Sequence, residues 1–170
     1  MEMMHVAMVE TGTALTPEFD SPLYVEMIRL IERAHRRFLD VVKDELDRLG
    51  RTDINNVQAV LLYNIGQEEL TPSELKGRGY YLGSNVSYNL KKLLDLGFIE
   101  QKRSSVDRRT ILISLTDTGV EVAEMVSALF DRQLKSLKPI GGVDDEDLRA
   151  CNRILTRLDR FWQDQVLYRL

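Results

Sequence analysis

Lysine and arginine residues are concentrated in one stretch of the 170-residue chain, between positions 76 and 109. The stretch has a net charge of +5, whereas the whole chain carries −4 and the rest of it therefore −9. A basic segment within an acidic chain is typical of proteins that bind the phosphates of nucleic acid. An ordinary solvated surface is the alternative, which a count of charges does not exclude. The cations are Lys76, Arg78, Lys91, Lys92, Lys102, Arg103, Arg108 and Arg109.

Side chains that can hydrogen-bond to bases lie among these cations, at positions 84–89. Asparagine can bond to adenine through two hydrogen bonds, and hydroxyl groups can bond to bases or phosphates. Lysines suit phosphates, which add affinity without reading sequence. Asn85 could instead be a helix cap, but Ser84 is the predicted cap, so we expect Asn85 to contact a base. The predicted DNA contacts between positions 71 and 92 are Thr71, Ser73, Ser84, Asn85, Ser87, Tyr88, Asn89, Lys91 and Lys92.

A hairpin with a cationic tip is predicted directly after this region. Residues 98–103 and 110–115 are rich in β-forming types and flank a polar turn. Arg108 or Arg109 is expected to enter the DNA minor groove, where narrowing at A·T tracts concentrates negative potential. Asp107 either orients a neighbouring arginine through a charge-assisted pair or is an ordinary turn residue. The predicted contacts of the hairpin are Lys102, Arg103, Asp107, Arg108 and Arg109.

Six helices are predicted around the hairpin from capping residues and apolar spacing. The first begins at Ser21 and Pro22 and ends at Gly50; its length of about 27 residues, against a usual ~12, is typical of helices shared between subunits. The second begins at Thr52 or Asp53 and ends at Gly66, and the third begins with the capping box Thr71-Pro72-Ser73-Glu74. The fourth is capped by Ser84 and ends at Gly97. The fifth follows Thr116 and is broken by Pro139 and Gly141-Gly142, and the sixth begins at Asp144. In the fourth helix we expect four side chains to face inward, namely Val86, Leu90, Leu93 and Leu94.

This order predicts a mainly α fold of the α+β type, a winged helix-turn-helix with long N- and C-terminal dimerisation helices. The predicted division is a flexible N-terminal arm at 1–20, a first dimerisation helix at 21–52, a winged helix-turn-helix DNA-binding region at 53–116, and C-terminal dimerisation helices at 117–170. In a helix-turn-helix the second helix lies in the major groove. The fourth helix is therefore the predicted reading element.

Several motifs of the chain together resemble the MarR family of bacterial transcriptional regulators. The motifs are Leu94-Asp95-Leu96-Gly97-Phe98-Ile99, Asp107-Arg108-Arg109, Leu115-Thr116-Asp117-Thr118-Gly119 and Thr71-Pro72-Ser73-Glu74-Leu75. The resemblance covers residues 22–168 and departs from the family at Gly77 and Gly79, where a helix former and an apolar residue are usual. It implies a homodimer whose first, fifth and sixth helices interlock, so that two winged helices meet double-stranded DNA at a pseudo-palindromic operator.

The resemblance also implies an effector, a small aromatic molecule such as a phenol or an aromatic acid, that weakens DNA binding from a crevice. The crevice is expected to be lined by His35, Phe38, Leu39, Leu61, Tyr63 and Asn64, although such aromatic residues are more often part of a core. Residues 19–24 and 83–90 further resemble the LdtR-like branch, which is associated with L,D-transpeptidase and control of the cell wall.

Other functions find less support in the sequence. Neither histidine, His5 or His35, belongs to a catalytic constellation, and the chain has no phosphate-binding loop and no cluster of metal ligands, so we expect neither an enzyme nor a cofactor. A winged helix that binds protein is an alternative, but it would favour exposed apolar anchors on the fourth helix. A second alternative is a redox-responsive regulator that acts through Cys151. Cys151, however, lies on an apolar stripe with Leu148 and Leu155, where we expect it to pack as a small hydrophobe.

Cysteine content and hydropathy predict a cytoplasmic protein without membrane contact. A single cysteine cannot form an intrachain disulfide, which fits a reducing compartment. No apolar run approaches the roughly 18 residues that span a bilayer, and the N-terminus lacks the pattern of a signal peptide.

Overall fold

Six helices and one two-stranded antiparallel sheet make up the described part of the chain. The computed structural model describes residues 21–77, 83–105, 107 and 109–168, of which 21, 76–77 and 83–86 are described by backbone alone. The elements are α1 (Ser21–Arg48), α2 (Asn56–Ile65), α3 (Pro72–Gly77), α4 (Gly83–Asp95), β1 (Ile99–Arg103), β2 (Ile111–Leu115), α5 (Asp117–Gly141) and α6 (Asp145–Tyr168). The predicted mainly α fold with a wing is confirmed. The predicted arm at 1–20, Gly79 and Arg108 lie outside the described residues.

Two compact units divide the chain, residues 1–39 and residues 40–170. The first contains the described N-terminal part of α1, in which Leu23, Tyr24 and Leu30 are exposed. The second contains the remaining elements and the core. The division falls within the residue range of α1.

The core of the second unit is built where α2 packs against α5. α2 is apolar on most sides, as expected of a helix buried on several faces. Leu61 and Leu62 of α2 are fully buried, as is Val122 of α5. Ile99 and Ile113 bring the sheet into the same core, which therefore joins the helices to the wing.

One of the predicted boundaries of α2 and α5 is wrong and one is confirmed. The cap of α2 is Asn55, not Thr52 or Asp53: the Asn55 side chain accepts a hydrogen bond from the Gln58 N–H at 2.9 Å, and the Gln58 side chain accepts one from the Asn55 N–H at 3.2 Å. The predicted end of α5 is confirmed at Gly141 and Gly142: the helix includes Pro139 in its last turn and ends at Gly141, and Gly142 caps it in the left-handed region.

The sixth helix begins as predicted and leaves its apolar stripe uncovered. Asp144 accepts hydrogen bonds from the N–H groups of Glu146 and Asp147 at 2.9 and 3.1 Å, which fixes the first turn. No described residue of α6 is buried. Cys151, which we expected to pack as a small hydrophobe, is exposed, because no described residue of the second unit covers this stripe. None of the described helices combines the length and the apolar character needed to cross a bilayer.

Candidate nucleic-acid interface

The third helix begins with the predicted capping box. Thr71 Oγ1 accepts a hydrogen bond from the Glu74 N–H at 3.1 Å, and the Glu74 carboxylate accepts one from the Thr71 N–H at 2.7 Å. The pair satisfies two donors that a helix start leaves open, so the first turn of α3 is fixed. Ser73 is exposed on this turn, whereas the Thr71 hydroxyl is engaged in the cap. Of the two predicted contacts on α3, Ser73 is therefore the better placed.

The fourth helix separates buried apolar side chains from exposed polar ones. Leu90 and Leu93 are buried against the core. The opposite side of the helix is exposed. Residues four apart lie on the same face of a helix, so positions 87 and 88 share their faces with positions 91 and 92. The exposed side chains there are Ser87, Tyr88, Lys91 and Lys92. This row of hydrogen-bonding and cationic groups is the surface that the sequence predicted.

Three expectations for α4 need correction. Asn89, a predicted base contact, is buried with 8% exposure, because it precedes Leu93 by one turn and shares its inward face. Leu94, predicted to face inward, is 36% exposed at the edge of the buried arc. Ser84 is the second residue of the helix and not its cap, since α4 begins at Gly83. The side chains of Ser84, Asn85 and Val86 lie outside the described residues, so their predicted orientation stays a prediction.

The end of α4 is fixed by a Schellman motif at Gly97. The Gly97 N–H donates to the Leu94 carbonyl at 3.0 Å and the Phe98 N–H donates to the Leu93 carbonyl at 2.9 Å. Gly97 has a φ of 76°, in the left-handed region that favours glycine. Phe98 is then buried, so the chain leaves the helix in one direction and enters β1 directly.

The wing is a short hairpin anchored to the loop before α3. β1 pairs with β2 in antiparallel register, Ile99 opposite Leu115 and Arg103 opposite Ile111. Leu70 adds a bridge on the outer edge of β2: it donates to and accepts from Ile113, at 3.0 and 2.8 Å. The predicted strands are thus confirmed to within one residue, and the wing base has a backbone connection to the helix-turn-helix.

Asp107 supports the turn at the tip of the wing. One carboxylate oxygen accepts from the Arg109 N–H at 2.9 Å and the other accepts from the Thr110 hydroxyl at 3.0 Å. These are the contacts of an ordinary turn aspartate. The sequence left two roles open for Asp107, and the structure supports that of an ordinary turn residue over that of orienting an arginine side chain. A contact of the Asp107 carboxylate with DNA would compete with its hydrogen bonds to Arg109 and Thr110.

The described cations of the wing differ in their surroundings. Arg103 and Arg109 are exposed. Lys102 forms an ion pair with Glu69, in the loop that follows α2. The Lys102 ammonium donates a hydrogen bond to the Glu69 carboxylate, and this bond raises the pKa of the ammonium above its ordinary value. Nothing in the sequence pattern pointed to Glu69.

A close joint connects α4, the wing and α5. The Thr116 hydroxyl donates to the Gly97 carbonyl at 2.7 Å, and the Thr116 N–H donates to the Phe98 carbonyl at 3.1 Å. The same hydroxyl oxygen accepts from the Gly119 N–H at 3.2 Å and caps α5. A methyl group on Gly119 would lie 2.0 Å from the Phe98 carbonyl oxygen, so only glycine fits. The joint therefore fixes the end of the reading helix against the start of α5.

A second connection to α5 is an ion cluster at the C-terminal part of α1. Glu45 is 9% exposed and accepts from Arg48 at 2.7 and 3.0 Å and from Arg132 of α5 at 2.5 Å. Hydrogen bonding to Arg48, aided by Arg132, lowers the pKa of the Glu45 carboxyl from 4.5 to about 2, more than burial raises it. The sequence offered a signal for this site: Glu45 interrupts an apolar stripe between Val42 and Leu49.

The predicted ligand-crevice residues are divided between the two units, and their meeting in one crevice stays a prediction. Leu61 is fully buried core and cannot line an open crevice. His35, Phe38 and Leu39 belong to the first unit, Tyr63 and Asn64 to the second. Tyr63 packs edge-to-face on Phe130, with ring centroids 4.8 Å apart. It also lines a pocket of about 170 Å³ whose other lining residues are Gly66, Gln67, Leu115, Val120, Ala123, Glu124 and Ser127.

Comparison with known proteins identifies the family. Residues 52–110 match the sequence model of the MarR family. The exopolysaccharide II synthesis transcriptional activator ExpG of Rhizobium meliloti (strain 1021) is 36% identical over 148 residues, which cover 85% of this chain and 74% of that protein. The chain belongs to the MarR family. Members of the MarR family are DNA-binding transcriptional regulators, so the prediction of a regulator and not an enzyme is confirmed.

Solved structures place this MarR family member in the expected fold. FabT from Streptococcus pneumoniae, crystallised in complex with DNA, is 23% identical with a TM-score of 0.64, over 83% of this chain and 98% of that one. A mutant MarR from E. coli, complexed with operator DNA, is 21% identical with a TM-score of 0.62, over 80% and 95% of the two chains. At this level of identity the similarity establishes the winged-helix fold.

Proposed function

We propose that this MarR family regulator binds double-stranded DNA as a homodimer on a pseudo-palindromic operator. The observation that carries the proposal is the exposed polar row of α4, with the buried side of the helix held by Leu90 and Leu93. A helix of this kind, followed by a hairpin with exposed arginines, has its polar face free for the major groove. Arg109 on the wing is then positioned to reach an adjacent minor groove.

The homodimer is supported by the uncovered apolar stripe of α6. Ile154 and Phe161 are 55% and 49% exposed and lie seven residues apart, which is the repeat of a helix–helix seam. Large apolar patches exposed on a single chain mark protein interaction sites. A second copy of α6 would cover the stripe and set the two winged helices at a fixed separation.

The wing supplies a direct test of DNA binding. Replacing one phosphate-contacting cation makes the plot of log affinity against log salt shallower by about one unit per wing. We expect this result for Arg109→Ala with a promoter fragment of the protein's own gene. Lys135→Ala removes the same charge from the exposed surface of α5 and is expected to leave the slope unchanged. Equal slopes for wild type and Arg109→Ala would place the wing away from the DNA.

Modulation by a small aromatic ligand is proposed at the pocket beside Tyr63. Its volume of about 170 Å³ suits one aromatic ring, since an apolar cavity of about 150 Å³ can hold benzene. Among its lining residues Glu124 carries a charge and none is basic. We therefore expect a neutral phenol or a cationic aromatic compound to bind better than an aromatic acid. The pocket touches Leu115 and Val120, on both sides of the joint that fixes the reading helix.

A thermal-shift screen tests the ligand proposal. A ligand at 100 times its dissociation constant stabilises the folded protein by about 2.7 kcal/mol. Ala123→Leu, which fills the pocket, is expected to abolish the shift given by a phenol or an aromatic amine. A shift that survives in Ala123→Leu would place the ligand elsewhere.

Target genes concerned with cell-surface polymers are proposed on two grounds. The sequence resembles the LdtR-like branch at residues 19–24 and 83–90, and one relative is named for exopolysaccharide II synthesis. Genome-wide mapping of binding sites identifies the targets directly. Sites confined to unrelated operons would contradict this assignment without affecting the proposed binding to DNA.

A further inference from the structure

We propose that the Glu69 carboxylate competes with the phosphates of DNA for the Lys102 ammonium. In the free protein Glu69 pairs with Lys102 across the wing sheet, and a phosphate replaces Glu69 when DNA binds. The inference rests on the proposed DNA binding and adds a residue that limits the affinity. The partner of Lys102 in the complex is then a backbone phosphate, and the partner in the free protein is a carboxylate of the same chain.

The position of the pair follows from the register of the sheet. Lys102 of β1 lies opposite Leu112 of β2, so the two side chains share one face of the hairpin. Glu69 immediately precedes Leu70, which bridges to Ile113 on the far edge of β2. The ion pair from Lys102 to Glu69 therefore crosses β2 from one edge of the sheet to the other.

The pair is accessible to an incoming anion. The Lys102 and Glu69 side chains are 51% and 45% exposed, so neither is enclosed by the fold. A phosphate can approach the ammonium without any rearrangement of the core. While Glu69 holds it, however, the positive charge of Lys102 is compensated and adds little to the attraction of the wing for DNA.

The alternative role of the Lys102–Glu69 ion pair is that of a brace, which would hold the wing in position. The wing base is already connected to the loop by the two backbone hydrogen bonds between Leu70 and Ile113, at 3.0 and 2.8 Å. An exposed ion pair adds little stability to such a structure. Because this backbone connection remains when the ion pair opens, Lys102 can leave Glu69 for a phosphate without loosening the wing base. Competition is therefore expected to outweigh bracing.

The test compares Glu69→Gln with wild type by fluorescence anisotropy, using a bound promoter fragment between 50 and 200 mM salt. We expect tighter binding at low salt, by up to about fivefold per wing, because the exposed ion pair no longer has to be broken. The number of phosphate contacts, and with it the contribution of about 0.9 per contact to the slope, is the same in both proteins. Glu68→Gln removes the same charge from the neighbouring position and is the matched control. Weaker binding of Glu69→Gln would identify a brace and overturn the proposal.

A second comparison places Glu69→Gln in a Lys102→Gln background. The proposal requires that Glu69→Gln no longer tightens binding there, because the cation that it releases is absent. A gain of the same size with and without Lys102, or an equal gain from Glu68→Gln, would show a general effect of charge and would overturn the proposal.

A measurement without DNA keeps this inference separate from the proposed function. Limited acylation of lysines, read by peptide mass spectrometry, is expected to modify Lys102 faster in Glu69→Gln than in wild type, while Lys91 and Lys92 react equally in both. Unchanged reactivity of Lys102 would overturn the pairing itself. Failure of the wild type to bind any DNA, together with increased Lys102 reactivity, would instead contradict the proposed function.

Discussion

The joint between the wing and α5 makes Gly119→Ala a sensitive perturbation. The added methyl group would lie 2.0 Å from the Phe98 carbonyl oxygen, and real Cβ atoms essentially never approach within 3.0 Å of another heavy atom. The carbonyl must therefore move by at least about 1 Å, since it is backbone and cannot rotate away. This movement strains the hydrogen bonds from Thr116 to Gly97 and Phe98.

The magnitude follows from opposing contributions. Overpacking costs about 1–3 kcal/mol, and each weakened hydrogen bond costs about 1 kcal/mol. Alanine gains about 1 kcal/mol over glycine in a helix. We expect a net loss of about 2–4 kcal/mol in the free energy of unfolding. Binding to DNA should weaken further, because the displaced end of α4 carries the reading surface with it.

The assay is urea denaturation at a fixed protomer concentration, since the stability of a dimer depends on concentration. Gly141→Ala is the matched control in the same helix, because a methyl group there would meet only Leu137 Cδ1 at 3.4 Å. This control is expected to be neutral or more stable by up to about 1 kcal/mol. Equal stability of the two variants would refute the joint as we describe it.

Two further predictions concern the ion cluster and the subunit seam. Glu45→Gln is expected to lower the free energy of unfolding by about 1–3 kcal/mol at pH 7, through loss of the charged hydrogen bonds to Arg48 and Arg132. The pKa of Glu45 in the folded protein is about 2, below its ordinary 4.5. The wild type therefore holds this stability above pH 4.5 and loses it as the pH falls toward 2. If the difference in free energy of unfolding between wild type and Glu45→Gln, measured by urea denaturation, does not narrow from pH 7 to pH 3, the assignment is contradicted. Leu158→Asp on the stripe of α6 is expected to prevent dimerisation, because it places a charge in the proposed seam; light scattering that still reports a dimer would refute that seam.

Local signals in the sequence predicted the elements that frame the site. The capping box from Thr71 to Glu74 and the glycine stop at Gly97 are short-range features, set by neighbouring residues, and both are present. Where several residues could perform the same local role, the prediction failed. The cap of α2 was predicted at Thr52 or Asp53, whereas the structure has it at Asn55, whose reciprocal bond with Gln58 fixes the start of the helix.

Long-range pairs could not be predicted, because they depend on how the elements pack. Glu45 meets Arg132 across 87 residues of sequence, and Lys102 meets Glu69 across the wing sheet. The inward position of Asn89 depends on the rotation of α4 against the core, which apolar spacing defines only to about one residue. Such shifts leave the fold unchanged but determine which side chains remain available to DNA.

Mapping of binding sites with purified protein and fragmented genomic DNA tests the central claim most directly. We predict enriched fragments that share a two-fold symmetric motif, with half-sites about one helical turn apart, as expected when two copies of α4 enter successive major grooves. Variants of Lys91 and Lys92 should lose affinity for all fragments to a similar degree, since phosphate contacts carry no sequence information. No enrichment at low salt, or a motif without symmetry, would contradict a dimeric regulator that reads DNA through α4.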